Sequence, residues 1–331
     1  MADVEILELK DSQIDELLLF LKKWGSNHPE LGEGQIIRWQ QCFRFVALHD
    51  GKIVGYIGQI PHLFKYGSIG PGVGIEQIGW GVTLVLDMSD DQVRKQAGRG
   101  LLSRCENNPP YLFSGVGIVP AIEEPYKRRG YEIRRNSTKM FARFVNPSKA
   151  LAYMGMPSYF DYLIRLANII YRPSIAQNIA KFKKITCFKP EWDSQWNDLL
   201  FAQYELYGIR TAEYLNYKLS QPDRSYQAYI HLDGGYIIFR LAKHTVRDMN
   251  LIKICDLVGT DLVKSDLISI AVKYLYEEGA YGIVALGSAR DARIYKKTGL
   301  YIAKRYPIAL NKNIRANMHI TFFDSDLDNL W

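Results

Sequence analysis

Two glycines in a basic stretch, Gly98 and Gly100, mark the part of the sequence with the clearest capacity for chemistry. They belong to Lys95-Gln96-Ala97-Gly98-Arg99-Gly100, which follows the apolar run Val82 to Leu86 and a polar turn, Ser89 to Gln92. Glycine lets the backbone approach a ligand without a Cβ in the way. A helix that begins there directs its free N–H groups and positive dipole end at that ligand. We therefore expect a strand, a basic turn and a helix from about Gly100 that together form a cradle for a pyrophosphate.

A tyrosine in front of a basic turn gives a second candidate site. Residues 111–119 are typical of a strand, and Pro120 to Arg129 of a short helix that contains Tyr126. The helix runs into Tyr126-Lys127-Arg128-Arg129-Gly130-Tyr131. A phenol, with a pKa of about 10, is a suitable general acid for a thiolate leaving group.

Together these two stretches resemble motifs of the Gcn5-related N-acetyltransferases (GNATs). The first resembles their acyl-CoA loop, Gln/Arg-x-x-Gly-x-Gly/Ala after the fourth strand, with Lys95 in the first position. The second resembles their Tyr-x-x-x-Gly-Phe signature, with Tyr131 in place of phenylalanine. The resemblance implies acyl-CoA as co-substrate, no metal, and Tyr126 as the acid that protonates the thiolate. It implies that the cofactor is held by Leu86, Met88, Lys95, Gln96, Ala97, Gly98, Arg99 and Gly100.

The resemblance also implies direct acyl transfer from a thioester to an amine. Backbone N–H groups of a splayed strand, around Val82 to Met88, would hold the oxyanion. Glu76 is the candidate base because the family often places a carboxylate near the central strand. Asp87 and His62 are alternatives, and a water relay without a dedicated base remains open.

Length and charge limit the classes of function. The chain has 331 residues, which suggests two domains. Its net charge of +7 fits polyanionic ligands such as coenzyme A, a nucleotide-sugar diphosphate, nucleic acid or an anionic membrane surface. The charge is spread along the chain, which argues against a nucleic-acid-binding tail. An acidic start, widely separated cysteines and the lack of a long apolar run predict a cytoplasmic protein without stable membrane insertion.

Three anchors repeat in the same order and predict a tandem duplication. Residues 193–200 echo 11–18, 232–238 echo 49–55, and 294–301 echo 125–132. We expect an α/β (α+β) fold of two GNAT-like domains, each with a mixed, mostly antiparallel central sheet flanked by helices. Residues 1–146 would bind acyl-CoA, 147–190 would form a helical linker, and 191–331 would be a degenerate copy without a Gly-x-Gly turn. That copy would bind the acceptor or be purely structural.

The predicted acceptor rests on a further resemblance. The arrangement of an intact first copy and a degenerate second copy resembles that of the sugar N-acyltransferases of surface-polysaccharide (O-antigen, lipopolysaccharide or capsule) pathways. Residues 210–218 and the closing Phe323-Asp324-Ser325-Asp326 resemble segments of the same enzymes. It implies a nucleotide-linked amino-deoxysugar, often a thymidine diphosphate sugar. Guanidinium suits the diphosphate and tyrosine suits the base. The candidate residues are Arg210, Tyr214, Asn216 and Tyr217.

Two other functions remain open. Tandem folds of this type also transfer amino acids from transfer RNA, although such proteins usually lack the coenzyme A loop. A non-catalytic scaffold is the other alternative. Between the two copies, Tyr159 to Ile170 predicts an amphipathic helix, which either connects the copies or serves as a lid or membrane-surface element.

Overall fold

The fold is described from a computed structural model. The residues described are 3–24, 43–69, 74–108, 112–118, 120–146, 157–170, 179–221, 224–244, 249–311 and 318–324, with the single residues 148, 151, 173, 175 and 314.

The first half of the chain alternates strands and helices up to residue 144. Its elements are β1 (Val4–Glu8), α1 (Ile14–Trp24), β2 (Phe43–His49), β3 (Lys52–Tyr66), β4 (Ile75–Leu86), α2 (Asp91–Glu106), β5 (Leu112–Val116), α3 (Pro120–Arg128) and β6 (Glu132–Phe144).

A helix, α4 (Asp161–Ile170), separates this half from the second. The second half contains β7 (Phe182–Ile185), α5 (Asp193–Phe201), β8 (Leu206–Gly208), α6 (Ala212–Leu219), β9 (Tyr226–His231), β10 (Tyr236–His244), β11 (Met249–Val258), α7 (Asp261–Glu277), β12 (Gly282–Ser288), α8 (Ala292–Lys297), β13 (Tyr301–Leu310) and β14 (Met318–His319).

All the strands belong to one continuous sheet. Its main path is β1-β2-β3-β4-β5-β13-β6-β12-β11-β10-β9-β7, with β8 and β14 attached beside β3. The strand order is the same when it is read from either end of the path. In each half, the last long strand pairs with a strand of the other half: β13 pairs with β5, and β6 pairs with β12. We call β6 and β13 the exchanged strands. The pairs β4–β5 and β11–β12 are parallel, and the other neighbours on this path are antiparallel. The predicted α/β class with a mixed, mostly antiparallel sheet is therefore confirmed.

The repeated anchors occupy equivalent elements. The first pair begins α1 and α5, and the third lies in α3 and α8. The second pair forms the β2–β3 and β9–β10 hairpin turns, where Asp50 and Gly51 have φ of 50° and 72°, and Gly234 and Gly235 have φ of 90° and 95°. Such turns favour glycine, aspartate and asparagine because they need positive φ. β7 pairs with β9, so residues 182–185, placed in the linker by the sequence, belong to the sheet of the second half.

Helices cover both faces of the first half. Adjacent residues of β2 face opposite sides: Phe45 packs with Leu101 of α2, whereas Val46 packs with Leu17 of α1. A central core joins the halves under the exchanged strands. It includes Trp80, Phe144, Leu286 and Ile308. Within the described part of the chain, no helix is long and apolar enough to cross a membrane.

Two helices begin earlier than the sequence suggested. α2 begins at Asp91 rather than near Gly100, because Asp90 caps it: the Asp90 carboxylate accepts hydrogen bonds from the N–H groups of Gln92 (2.7 Å) and Val93 (3.0 Å). α7 begins at Asp261 rather than at Leu267, with Thr260 as its cap. A glycine inside a helix costs about 1 kcal/mol and does not by itself end it.

Candidate active site

A wedge-shaped opening separates the ends of β4 and β5. The two strands pair in register from Ile78 with Leu112 to Gly81 with Gly115. β4 then continues to Leu86, whereas β5 ends at Val116 and pairs on its other side with β13. Beyond Gly81, no strand among the described residues pairs with β4 on the side that faces β5.

A β-bulge causes this divergence. Gly58 of β3 lies opposite Val82, and Tyr56 lies opposite Val85, so two residues of β4 face a single residue of β3. A bulge bends its strand and increases the twist, which turns the end of β4 away from β5. Since backbone groups alternate along a strand, some N–H groups between residues 82 and 86 are directed into the opening. Such groups can stabilise an oxyanion.

Tyr126 lies at the point where the two strands part. It is 3% exposed, and a Cβ atom added to Gly115 would lie 3.3 Å from its hydroxyl oxygen. Its ring contacts Tyr131 edge to face, with the centroids 5.1 Å apart. Burial, assisted by Cys105 and Glu106, raises the pKa of Tyr126. The phenol therefore stays protonated at neutral pH, as a proton donor must.

The prediction of a turn between Lys95 and Gly100 that would cradle a pyrophosphate with its backbone is wrong, because these residues are helical. Gly98 and Gly100 lie inside α2, where their N–H groups belong to the helix. Their lack of a side chain serves packing: a Cβ on Gly100 would come within 2.6 Å of Ile6, and one on Gly98 within 3.1 Å of Leu86. The helix N-terminus, where a phosphate would bind, already holds the Asp90 carboxylate.

The side chains of α2 offer a different way to meet an anion. Lys95, Gln96 and Arg99 line a shallow cavity of about 400 Å³ together with Asp91 and Gln92. The Lys95 ammonium lies 2.6 Å from Asp91. In the described parts of the chain, Arg99 has no ion-pair partner for its exposed guanidinium. The remaining cofactor candidates differ: Ala97 is buried, Leu86 packs against α2, and Met88 is largely exposed.

The base candidates lie far apart along the sheet. Glu76 precedes Gly81 by five residues, about 17 Å of strand. It is therefore wrongly placed to act at the opening. His62 pairs with Ile78, also before the strands part, and burial lowers its pKa even though Asp324 is nearby. Asp87 directly follows β4 at the opening.

Asp87 also borders a second cavity near α2. This cavity has about 480 Å³ and lies between α1, the β2–β3 turn and the start of α2. Glu16, His49 and Lys52 are among its other lining residues. The Asp87 carboxylate accepts the N–H of Ser89 at 2.8 Å.

Two of the four proposed sugar-binding residues have structural roles. Arg210 is fully buried, and its guanidinium lies 2.8 Å from both Asp256 and Asp324. It therefore presents no surface to a diphosphate. Asn216 is bonded through its side-chain amide to both the N–H and the C=O of Phe188.

The two tyrosines of that set are partly exposed. Tyr214 donates its hydroxyl to the Phe323 carbonyl at 2.6 Å, and its ring contacts the tilted ring of His62 with centroids 4.4 Å apart. Tyr217 lies on the same helix, α6. Ser325 and Asp326, from the closing motif, lie outside the described residues.

The equivalent place in the second half is filled with buried polar side chains. β11 and β12 pair only from Leu251 to Ile254. Across the ends of these strands, the Lys264 ammonium lies 3.2 Å from Asp291, and Tyr204 donates to the same carboxylate at 2.6 Å. The His319 ring contacts Tyr204 at a tilt, and burial lowers the pKa of His319 to about 4. Among the described residues, these contacts fill the space between the ends of β11 and β12.

Sequence reasoning missed the residues that shape the opening. The bulge between Val82 and Val85 has no signature in a run of apolar residues. Gly81 and Gly115, the last paired residues, also gave no signal. The cap at Asp90 could have been found, because aspartate before an amphipathic run is a common helix start.

Comparison with known proteins connects this geometry to a fold. No protein-family model and no curated protein matches the sequence. Among solved structures, the chain is similar to an N-myristoyltransferase from Saccharomyces cerevisiae with bound myristoyl-CoA, with a TM-score of 0.63 and 12% identity over 94% of this chain and 79% of that one.

Two bacterial structures are similar as well. A GCN5-related N-acetyltransferase from Anabaena variabilis has a TM-score of 0.58 at 12% identity, over 92% of this chain and 72% of that one. A probable N-acyltransferase from Enterococcus faecalis has a TM-score of 0.56 at 10% identity, over 94% and 73%. The chain thus has the fold of GNAT-type N-acyltransferases.

Proposed function

We propose that this protein is an acyl-CoA-dependent N-acyltransferase. The opening between β4 and β5 carries this proposal, because it gives a thioester access, beside a buried tyrosine, to backbone N–H groups that no described strand pairs. The fold supports it, since a similar structure was solved with myristoyl-CoA bound. The substrate would react in the cytoplasm by direct attack, without a metal.

The chain's own groups suffice for this chemistry. The thioester carbonyl accepts hydrogen bonds from N–H groups between residues 82 and 86, which stabilise the oxyanion as the acceptor nitrogen attacks. The C–N bond forms, and the C–S bond then breaks. Tyr126 supplies a proton to the departing sulfur. Asp87, or a water molecule that it orients, accepts the proton released by the amine.

The phosphates of coenzyme A would bind along α2. Lys95 and Arg99 are four residues apart and therefore share one face of the helix. Gln96 lies beside them and can donate a hydrogen bond. This arrangement replaces the backbone cradle with side chains, and Arg99 carries most of the recognition because Lys95 is already paired with Asp91.

The acceptor amine would enter from the cavity that Asp87 borders. A nucleotide-linked amino-deoxysugar remains the narrower proposal, now without Arg210 and Asn216 as ligands. The other two original candidates, Tyr214 and Tyr217, are partly exposed but do not line this cavity. Tyr214 contacts His62, which pairs with Ile78, nine residues before Asp87. A panel of acceptors that includes thymidine diphosphate amino sugars and simple amines tests this narrower proposal separately.

Thiol release from acyl-CoA tests the activity. We expect turnover with at least one donor between acetyl-CoA and myristoyl-CoA when the acceptor panel is present. Arg99→Glu should raise the KM for acyl-CoA about tenfold, because it places a carboxylate against a phosphate. Lys296→Glu makes the same charge change at an exposed position of α8. It is the matched control and should leave the KM for acyl-CoA unchanged.

Other results would redirect the assignment. Equal KM values for both charge variants would remove α2 as the phosphate site. The absence of thiol release across all donors and acceptors would favour the scaffold, and transfer from aminoacyl-tRNA alone would favour the RNA-dependent class.

A further inference from the structure

The outward face of α4 is apolar, which is unusual for a helix on a protein surface. Tyr162, Leu163, Leu166, Ile169 and Ile170 are between 39% and 63% exposed. Their spacing of four, seven and eight residues from Tyr162 places most of them on one side of the helix. A surface helix normally directs its polar side outward, and no apolar partner covers this face among the residues that the structure describes.

The opposite face of α4 is fixed to the rest of the protein. Ile164 is buried in the central core. Asn168 donates its side-chain N–H to the Phe144 carbonyl at 2.7 Å, and Arg143 donates to the Asn168 carbonyl at 3.4 Å. The apolar side chains therefore cannot turn inward without breaking these contacts.

The segment around α4 carries most of the chain's net charge. Residues 147–190 contain seven basic residues and one acidic residue, Asp161, which give a net charge of +6 in a chain of +7. Lys183 and Lys184 are exposed on the edge strand β7. Two more exposed apolar residues, Ile175 and Ile179, lie between α4 and these lysines.

We propose that α4 and the basic segment after it form a docking surface for an anionic lipid membrane, on which α4 lies in the plane of the interface. Helices that bind in this way combine an apolar face with basic residues, and each lysine or arginine near the surface adds attraction to anionic headgroups. Tyr162 suits the boundary between headgroups and acyl chains because its ring is apolar and its hydroxyl polar.

A second copy of the chain fits this surface less well. A helix of ten residues is about 15 Å long, and its one face offers much less than the roughly 800 Å² per partner of a stable interface. In a twofold dimer the same surface meets itself. The basic segments of the two copies would then lie close together and repel each other.

Vesicle co-sedimentation with the full-length protein tests the proposal. Vesicles of equal parts phosphatidylcholine and phosphatidylglycerol should bind the protein, and vesicles of phosphatidylcholine alone should bind it about tenfold less. The double variant Ile169→Glu, Ile170→Glu should lose at least about tenfold in affinity for the anionic vesicles. The double variant Leu19→Glu, Ile75→Glu makes the same two changes at apolar positions of α1 and β4 that are 71% and 60% exposed, and it is the matched control that should bind like the wild type.

A fluorescence reporter gives an independent measurement. Tyr162→Trp should show a blue-shifted emission when anionic vesicles are added, whereas Leu19→Trp, on α1, should not. No sedimentation of the wild type, or equal sedimentation of the Ile169/Ile170 variant, would overturn the proposal. A third result would also overturn it: the wild type is a dimer in solution, the Ile169/Ile170 variant is a monomer, and neither binds vesicles. A second copy of the chain would then cover the helix. Acyl transfer to soluble acceptors does not depend on this surface, so this test is separate from that of the proposed function.

Discussion

Tyr126 and Tyr295 occupy equivalent helices in the two halves, but their surroundings differ. The Tyr126 hydroxyl lies at Gly115, beside the opening. Tyr295 stacks on Phe141 with centroids 4.5 Å apart, close to the buried Lys264–Asp291 pair. One tyrosine is therefore placed to meet a ligand, and the other completes a filled core.

Tyr126→Phe should lower kcat by about 10²-fold with little change in the Kd for coenzyme A, because it removes only the proton donor. Because burial raises the pKa of Tyr126, the acid form persists at alkaline pH, and its titration should cause no loss of activity up to about pH 9. Steady-state thiol release across pH measures both effects. Tyr295→Phe is the control, and an equal loss in both variants would show that Tyr126 acts through folding.

At the level of elements, α2 sits close to the sheet because two glycines lie on its inner side. Gly100 faces Ile6 of β1, and Gly98 faces Leu86 of β4. Leu86 ends the strand that borders the opening, so this close packing also fixes the wall of the site.

The two glycines should respond differently to alanine. Alanine in a helix gains roughly 0.5–1 kcal/mol over glycine. At Gly98 the new Cβ would meet only the tip of Leu86 at 3.1 Å, so Gly98→Ala should be neutral or stabilising. At Gly100 it would lie 2.6 Å and 2.8 Å from two atoms of Ile6, and overpacking of about 1–3 kcal/mol should make Gly100→Ala destabilising. Urea unfolding measures both, and greater destabilisation at Gly98 would contradict the helical position of these residues.

Local signals in the sequence were enough for several elements. The Asp50-Gly51 turn predicted the β2–β3 hairpin, and the apolar periodicity from Ile14 to Trp24 gave α1 with the same bounds. Contacts between residues far apart in the sequence could not be predicted from it. Arg210 suggested a diphosphate ligand, but its carboxylate partners are 46 and 114 residues away, and nothing in the sequence connects them. The exchange of β6 and β13 is likewise a property of the sheet as a whole.

Across the whole molecule, the two halves have the same strand order but different interiors. The first half keeps an opening between its parallel strands, and the second closes the equivalent place with Lys264, Asp291 and Tyr204. The exchanged strands tie the halves into one sheet, so the filled half supports the open one. From this asymmetry we expect one binding site per chain.

Calorimetric titration of the full-length protein with coenzyme A tests this account most directly. We predict one molecule bound per chain, an affinity about tenfold weaker in Arg99→Glu, and no change in Lys296→Glu. Failure to bind coenzyme A, or binding of two molecules per chain, would contradict the assignment of a single ligand site to the opening between β4 and β5.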